Sequence, residues 1–184
     1  MALVESINIP LRSLLTDFTL KDPLGKSYTL NKEIGTKGLL ILFTCNHCPY
    51  ALAVWPRVIR WAKYAKDLGI NTIGINPNIH PDYPEDAPEK MINKIKEWGI
   101  TFPYLVDETQ ECAKAFKAQC TPDIYLFDQD KKLAYHGRID DNWKDESKVT
   151  KEELKSALDA LASNNTVSKS QMPSMGCSIK WRNN

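Results

Sequence analysis

One tetrapeptide in this chain has residue types and spacing suited to chemistry: Cys45-Asn46-His47-Cys48. Two thiols separated by two residues can cycle between dithiol and disulfide, one sulfur attacking and the other displacing it. The thiolate is the reactive form, so the question is what lowers a thiol pKa here. The tetrapeptide stands where an apolar run ends and a helical period begins. A thiolate at that junction faces the unpaired amide N–H groups and the positive end of a helix. His47, if protonated, would stabilise the Cys45 thiolate further and make the disulfide more oxidising. On this reading Cys45 attacks a disulfide, Cys48 resolves the mixed disulfide, and no cofactor is required. Half of a zinc site is the competing use of such a pair. The remaining cysteines, Cys112, Cys120 and Cys177, provide no second pair at knuckle spacing, so no metal is expected.

Thr121-Pro122 is the second feature, immediately ahead of a strand. Proline is ordinary at a strand start; the sharper reading is a cis proline in a tight loop packed against the dithiol. Cys120 would then lie near the dithiol as a possible resolving thiol, although an unpaired cysteine is more often a small core hydrophobe, as expected of Cys112. Cys177 follows a polar stretch and can act as a resolving thiol only if a tail folds back. Arg138 reads as a surface ion pair with Asp140 or Asp141. His80 and His136, lacking ligand partners at helical or hairpin spacing, read as loop and surface residues. Asn76 and Asn78 follow a buried strand, where ligands often bind in parallel sheets, but receive no role.

The elements that must position these residues follow from periodicity. Asp17–Leu20 and Ser27–Leu30 alternate around Pro23-Leu24-Gly25 and read as a hairpin. Leu39–Phe43 is a continuous apolar run, as in a strand buried on both faces. From Pro49, Val54, Val58, Trp61, Ala65 and Leu68 recur at helical spacing until Gly69, with a kink expected at Pro56. Ile70–Ile75 reads as a buried strand and the Pro-rich stretch Pro81–Pro88 as a loop. Glu89–Trp98 is an amphipathic helix, Phe102–Val106 a strand, and Glu108–Ala118 a short helix. Ile124–Phe127 and Leu133–His136 form a second hairpin. Thr150-Lys151-Glu152-Glu153 has the capping-box pattern before a last helix. Trp55, Trp61 and Trp98 are spaced as core. Strands alternating with helices and a closing hairpin indicate an α/β sandwich with a mixed central sheet.

Length and charge bound the rest. The 184 residues suffice for one domain with its own core. A formal charge of +1 excludes an electrostatic footprint for nucleic acid or an anionic membrane, and no apolar run approaches the roughly 20 residues of a membrane span. Residues Met1–Pro10 lack a basic start and apolar h-region, so the cytoplasm is expected. Five cysteines leave at least one thiol free. The polar stretch Ser163–Ser174 reads as a flexible linker, giving a domain over 1–162 and a linker and C-terminal tail over 163–184.

Several blocks then carry a family resemblance: Asp17-Phe18, Leu20, Asp22 and Gly25; Cys45-Asn46-His47-Cys48-Pro49-Tyr50; Phe102-Pro103-Tyr104-Leu105 with Asp107-Glu108-Thr109-Gln110; Cys120-Thr121-Pro122-Asp123; Gly137-Arg138-Ile139-Asp140-Asp141; and Gly176-Cys177-Ser178-Ile179-Lys180-Trp181. Together they resemble the peroxiredoxin-like branch of the thioredoxin superfamily, of the alkyl hydroperoxide reductase and thiol-specific antioxidant kind, over nearly the whole chain. The resemblance implies a thioredoxin fold, three layers of α/β/α around a mixed sheet, with an N-terminal β-hairpin extension, a helix-strand insertion and a cis Pro122. It implies an oxidoreductase acting on thiols. The substrate would be a disulfide-bonded protein, a small-molecule disulfide or a peroxide, reset by a thiol reductant, in a monomer or homodimer without nucleic acid or membrane partners.

Two departures bear on the role of each thiol. Aligning a peroxidatic cysteine with Cys48 puts Cys45 where peroxiredoxins carry Thr, and Pro122 near their Arg. Thr44 and Leu39 replace the Trp and the buried Asp of thioredoxins. By thioredoxin logic Cys45 attacks. The alternative is an antioxidant thiol peroxidase in which Cys48 attacks peroxide and Cys45 or Cys177 resolves.

Overall fold

A computed structural model describes residues 3–182. The strands are β1 (Leu3–Glu5), β2 (Thr19–Lys21), β3 (Ser27–Thr29), β4 (Gly38–Phe43), β5 (Ile70–Asn76), β6 (Tyr104–Val106), β7 (Cys120–Thr121), β8 (Asp123–Asp128), β9 (Leu133–His136) and β10 (Met175–Ser178). The helices are α1 (Pro49–Asp67), α2 (Pro88–Trp98), α3 (Glu111–Phe116) and α4 (Glu153–Ala162).

The apolar run of β4 is buried throughout, and its side chains alternate between two cores. Leu40 and Leu42 pack with Val54, Trp55 and Val58 of α1, Met91 of α2 and Leu154 and Leu158 of α4. Leu39, Ile41 and Phe43 pack with Cys112, Ala113 and Phe116 of α3. A strand covered on both faces needs no polar alternation, which is why its sequence is continuously apolar. The main sheet runs β3-β2-β6-β5-β4-β8-β9. β4, β5 and β6 are mutually parallel; β8 runs antiparallel to β4 and β9 antiparallel to β8 on one side, and β2 antiparallel to β6 and β3 antiparallel to β2 on the other. This is the three-layer thioredoxin-like arrangement with the expected N-terminal hairpin, β2 and β3.

α1 runs from Pro49 to Asp67 with Pro56 inside it. Several local expectations differ. The capping box does not form: the amide and hydroxyl of Thr150 both donate to the Asp141 carboxylate, and α4 starts with no side-chain cap. A competing acceptor nearby in space has taken the donor. His136 is buried, with Nε2 2.9 Å from Asp123 Oδ1 and its ring stacked on Tyr125. Arg138 pairs with Glu153, and Asp140 is bound instead by Arg57.

The C-terminal segment lies against the domain. β10 is the central strand of a second sheet, β1-β10-β7, with Cys177 opposite Leu3 on one side and Thr121 on the other. A Cβ at Gly176 would lie 2.1 Å from the Thr121 carbonyl oxygen, so only glycine permits this approach. Upstream, Gln171 binds the backbone of β9, donating to Ala134 O and accepting from His136 N. Downstream, Lys180 N donates to Asn78 and Arg182 N to Gln110. The stretch expected to be a flexible linker and tail is thus held by backbone pairing and by inward-facing Cys177 and Ile179. Met1, Ala2, Asn183 and Asn184, included in the expectations for the chain's start and tail, lie outside the described residues.

Candidate active site

β4 delivers the chain to Thr44, whose amide donates to Ile75 O, and Cys48 forms the N-cap of α1 with Pro49 in the first helical position. Cys45, Cys48, Ala51 and Cys177 form one buried cluster, the three cysteines exposing 1% or less of their surface. Thr121 touches both motif thiols, its Oγ1 3.2 Å from Cys45 Sγ and its carbonyl oxygen 3.2 Å from Cys48 Sγ. The Thr121–Pro122 peptide is cis. The fold therefore gathers Cys45, Cys48, Thr121, Pro122 and Cys177 at one place. Cys120 lies outside the cluster, its thiol donating to Pro122 O, and burial pushes it far above the range in which a thiolate forms.

The two motif thiols are electrostatically opposite. Cys48 is lowered to about 5, first by the hydrogen bond from the Cys45 thiol, which with the Cys177 thiol and the Ala51 and Cys177 amides outweighs the opposing effect of burial. Cys45 is raised well above its ordinary value, first by burial, then by donating to Cys48, then by the Asp86 carboxylate. Cys177 is pushed up to about 12 by burial and by Cys48. Cys45 and Cys177 thus both act to hold Cys48 in its ionised form. These directions run against the expectation that Cys45 carries the thiolate: Cys48 is the residue at the helix terminus, and a carboxylate lies near Cys45.

That carboxylate was not identified in the sequence. Asp86 ends a 3₁₀ turn, Pro84–Asp86, in the Pro-rich stretch, and is fully buried. Its Oδ1 accepts from the Asn46 amide at 2.6 Å and from Asn76 Nδ2 at 3.1 Å, and its Oδ2 is paired with His47 Nδ1. Asn46 is fixed from two more sides, donating to Glu85 O and accepting from Tyr104 OH. Tyr83 stacks on the His47 ring, centroids 4.6 Å apart. His47 is thus paired with Asp86 and stacked on Tyr83. Asn76 acquires a role as a donor to Asp86. The available signal was positional: a loop at the C-terminal end of a parallel strand, where functional groups gather in α/β folds.

Donor atoms of Cys45, His47 and Asp86 lie within 4.8 Å of one another. Nδ1 and both carboxylate oxygens are engaged with each other, with Asn46 and with Asn76, while His47 Nε2 is buried without a hydrogen-bond partner.

Residues 12–136 match the model of the AhpC/TSA family. The chain belongs to that family. Among solved structures, an uncharacterized conserved protein from Geobacillus kaustophilus is similar over 99% of this chain and 97% of that one, with a TM-score of 0.93 and 42% identity. Peroxidoxin BcpB from Mycobacterium tuberculosis shares the fold, with a TM-score of 0.61 and 16% identity over 85% of this chain and 98% of that one. The thiol-disulfide oxidoreductase ResA of Bacillus subtilis (strain 168) is 21% identical over 117 residues, 64% of this chain. The chain covers 61% of the length of that relative. No helix among the described residues is long and apolar enough to cross a membrane.

Proposed function

We propose that this AhpC/TSA-family protein is a thiol-disulfide oxidoreductase in which Cys48 attacks and Cys45 resolves. The observation that carries the reading is the place of Cys48 at the N-cap of α1, clustered with the Cys45 thiol with which it can form a disulfide, where hydrogen bonds from Cys45 and Cys177 lower its pKa. In the first step the Cys48 thiolate attacks a substrate disulfide R–S–S–R′, forming Cys48–S–S–R and expelling R′S⁻. In the second, Cys45 loses its proton and attacks Cys48 Sγ, forming the Cys45–Cys48 disulfide and expelling RS⁻. The substrate is reduced by two electrons, and a thiol reductant returns the protein to the dithiol. The similarity to ResA supports a disulfide-containing substrate.

The test uses Cys45→Ser, which keeps the thiolate but cannot resolve. It should trap a mixed disulfide at position 48 with a small disulfide, seen by mass spectrometry, whereas Cys48→Ser should form no adduct at Cys45. Adducts at Cys45 alone would overturn the assignment.

Burial of Cys48 favours a second reading, since a sulfur with no exposed surface is reached most readily by a small oxidant. In that case Cys48 becomes a sulfenic acid and Cys45 condenses with it. The rate of peroxide oxidation of reduced Cys45→Ser decides between the two. Oxidation orders of magnitude faster than that of a free thiolate makes the protein a thiol peroxidase, whereas a rate no faster leaves disulfide exchange as its chemistry.

A further inference from the structure

We propose that the His47–Asp86 pair is the proton acceptor for Cys45 in the resolving step, His47 receiving the proton and Asp86 acting as its positioning residue. The inference rests on the reading above, in which Cys45 resolves.

The second step requires a thiolate at Cys45, yet Cys45 has no exposed surface, so bulk water cannot take its proton. Its hydrogen-bond partner Thr121 is not a base. β4 supplies no ionisable side chain. What lies beside Cys45 is an imidazole paired with a carboxylate, with donor atoms of all three groups within 4.8 Å. Asp86 is held rigidly, its Oδ1 occupied by the Asn46 amide and Asn76, which leaves Oδ2 for His47. His47 Nε2 is buried without a hydrogen-bond partner, and the His47 side chain is 8% exposed. A carboxylate that fixes an imidazole and stabilises the imidazolium is the arrangement that makes histidine an effective base.

The proton balance closes. Cys45–SH passes its proton to the pair as its sulfur attacks Cys48 Sγ, the Cys48–S–R bond breaks, and the imidazolium returns the proton to the departing RS⁻. The titratable and charged groups around the pair are Cys45 and Cys48 of the motif, His80, Asp82, Tyr83 and Glu85 of the loop, Tyr104 of β6, and Lys180, which lies over the Tyr83 ring.

A merely structural clamp makes the opposite prediction. The Asp86 charge helps hold Cys45 in its protonated form, so neutralising it without any proton-transfer role should speed resolution. The test mixes full-length reduced protein with 4,4′-dithiodipyridine, a small neutral disulfide whose thione product is coloured. The first release reports attack by Cys48 and the second reports displacement by Cys45. Asp86→Asn and His47→Gln should leave the first phase unchanged and slow the second about 10²-fold, the typical contribution of a positioned base. In both variants the second phase should rise in proportion to hydroxide, whereas in the wild type it should level off below the range in which Cys45 ionises. Free imidazole should restore part of the second phase in His47→Ala. A second phase unchanged or faster in Asp86→Asn or His47→Gln overturns the proposal, as does a wild-type second phase proportional to hydroxide throughout, a readout that needs no variant to fold. An absent first phase, or no Cys45–Cys48 disulfide in the wild type, instead overturns the underlying reading.

Discussion

Thr121 contacts both sulfurs of the dithiol, with its hydroxyl on Cys45 and its carbonyl on Cys48, while Cys45 donates to Cys48. The thiolate therefore depends on a donor at position 45. Cys45→Ser keeps a hydroxyl there, so the thiolate absorbance of Cys48 should still titrate near about 5. Cys45→Ala removes the largest stabilising contribution and should move that titration upward. Linkage gives the sign of a second prediction. With its pKa lowered from 9.0 to about 5, Cys48 binds a proton more weakly folded than unfolded. Its contribution to stability is full above about pH 9 and is lost as pH falls through about 5. The urea midpoint of the reduced protein, relative to Cys48→Ser, should accordingly climb between those limits. The dithiol and its proline were legible because their chemistry resides in adjacent residues. Which sulfur ionises was not, because that follows first from the burial of Cys45 and from the hydrogen bonds that Cys45 and the distant Cys177 direct at Cys48, with Asp86, on a loop without periodicity, adding to the effect on Cys45.

Strands and helices were legible where a long periodic pattern buries one or two faces, as in β4, β5, α1 and α2. Short elements were decided by close approach in space. β10 has four residues and no apolar alternation to announce it, yet its pairing with β1 and β7 seats Cys177 beside Cys48. Gly176 makes that possible, and Gly176→Ala should push β10 away from Thr121. The overpacking cost is about 1–3 kcal/mol, read from denaturant midpoints. Reactivity of Cys177 toward a small alkylating agent should rise in parallel; an unchanged midpoint and an unchanged alkylation rate would mean that β10 does not depend on this contact. The Thr150 capping pattern failed for a related reason. Asp141, nine residues earlier, accepts from both the amide and the hydroxyl of Thr150, in place of the Glu153 carboxylate that would accept from that amide in a capping box.

Across the whole molecule, Arg57 ties the centre of α1 to the segment after β9. Its buried guanidinium donates to Asp140 at 2.6 Å and to the carbonyls of Asn142 and Trp143, and the Trp143 ring packs on Tyr50 in the first turn of α1. Removing one partner of a buried ion pair leaves an uncompensated charge, so Asp140→Ala should cost about 3–5 kcal/mol by chemical denaturation. The active-site turn has the same dependence on distant sequence. Asn46 and His47, the two inner residues of the motif, are both held by Asp86, which sits in turn on Asn76. The tetrapeptide is consequently not portable. Copied into another scaffold of this architecture, Cys-Asn-His-Cys would bring its sulfurs but leave behind the carboxylate that orients its histidine, whereas moving the turn together with residues 76–86 would carry that carboxylate and its Asn76 support along with it.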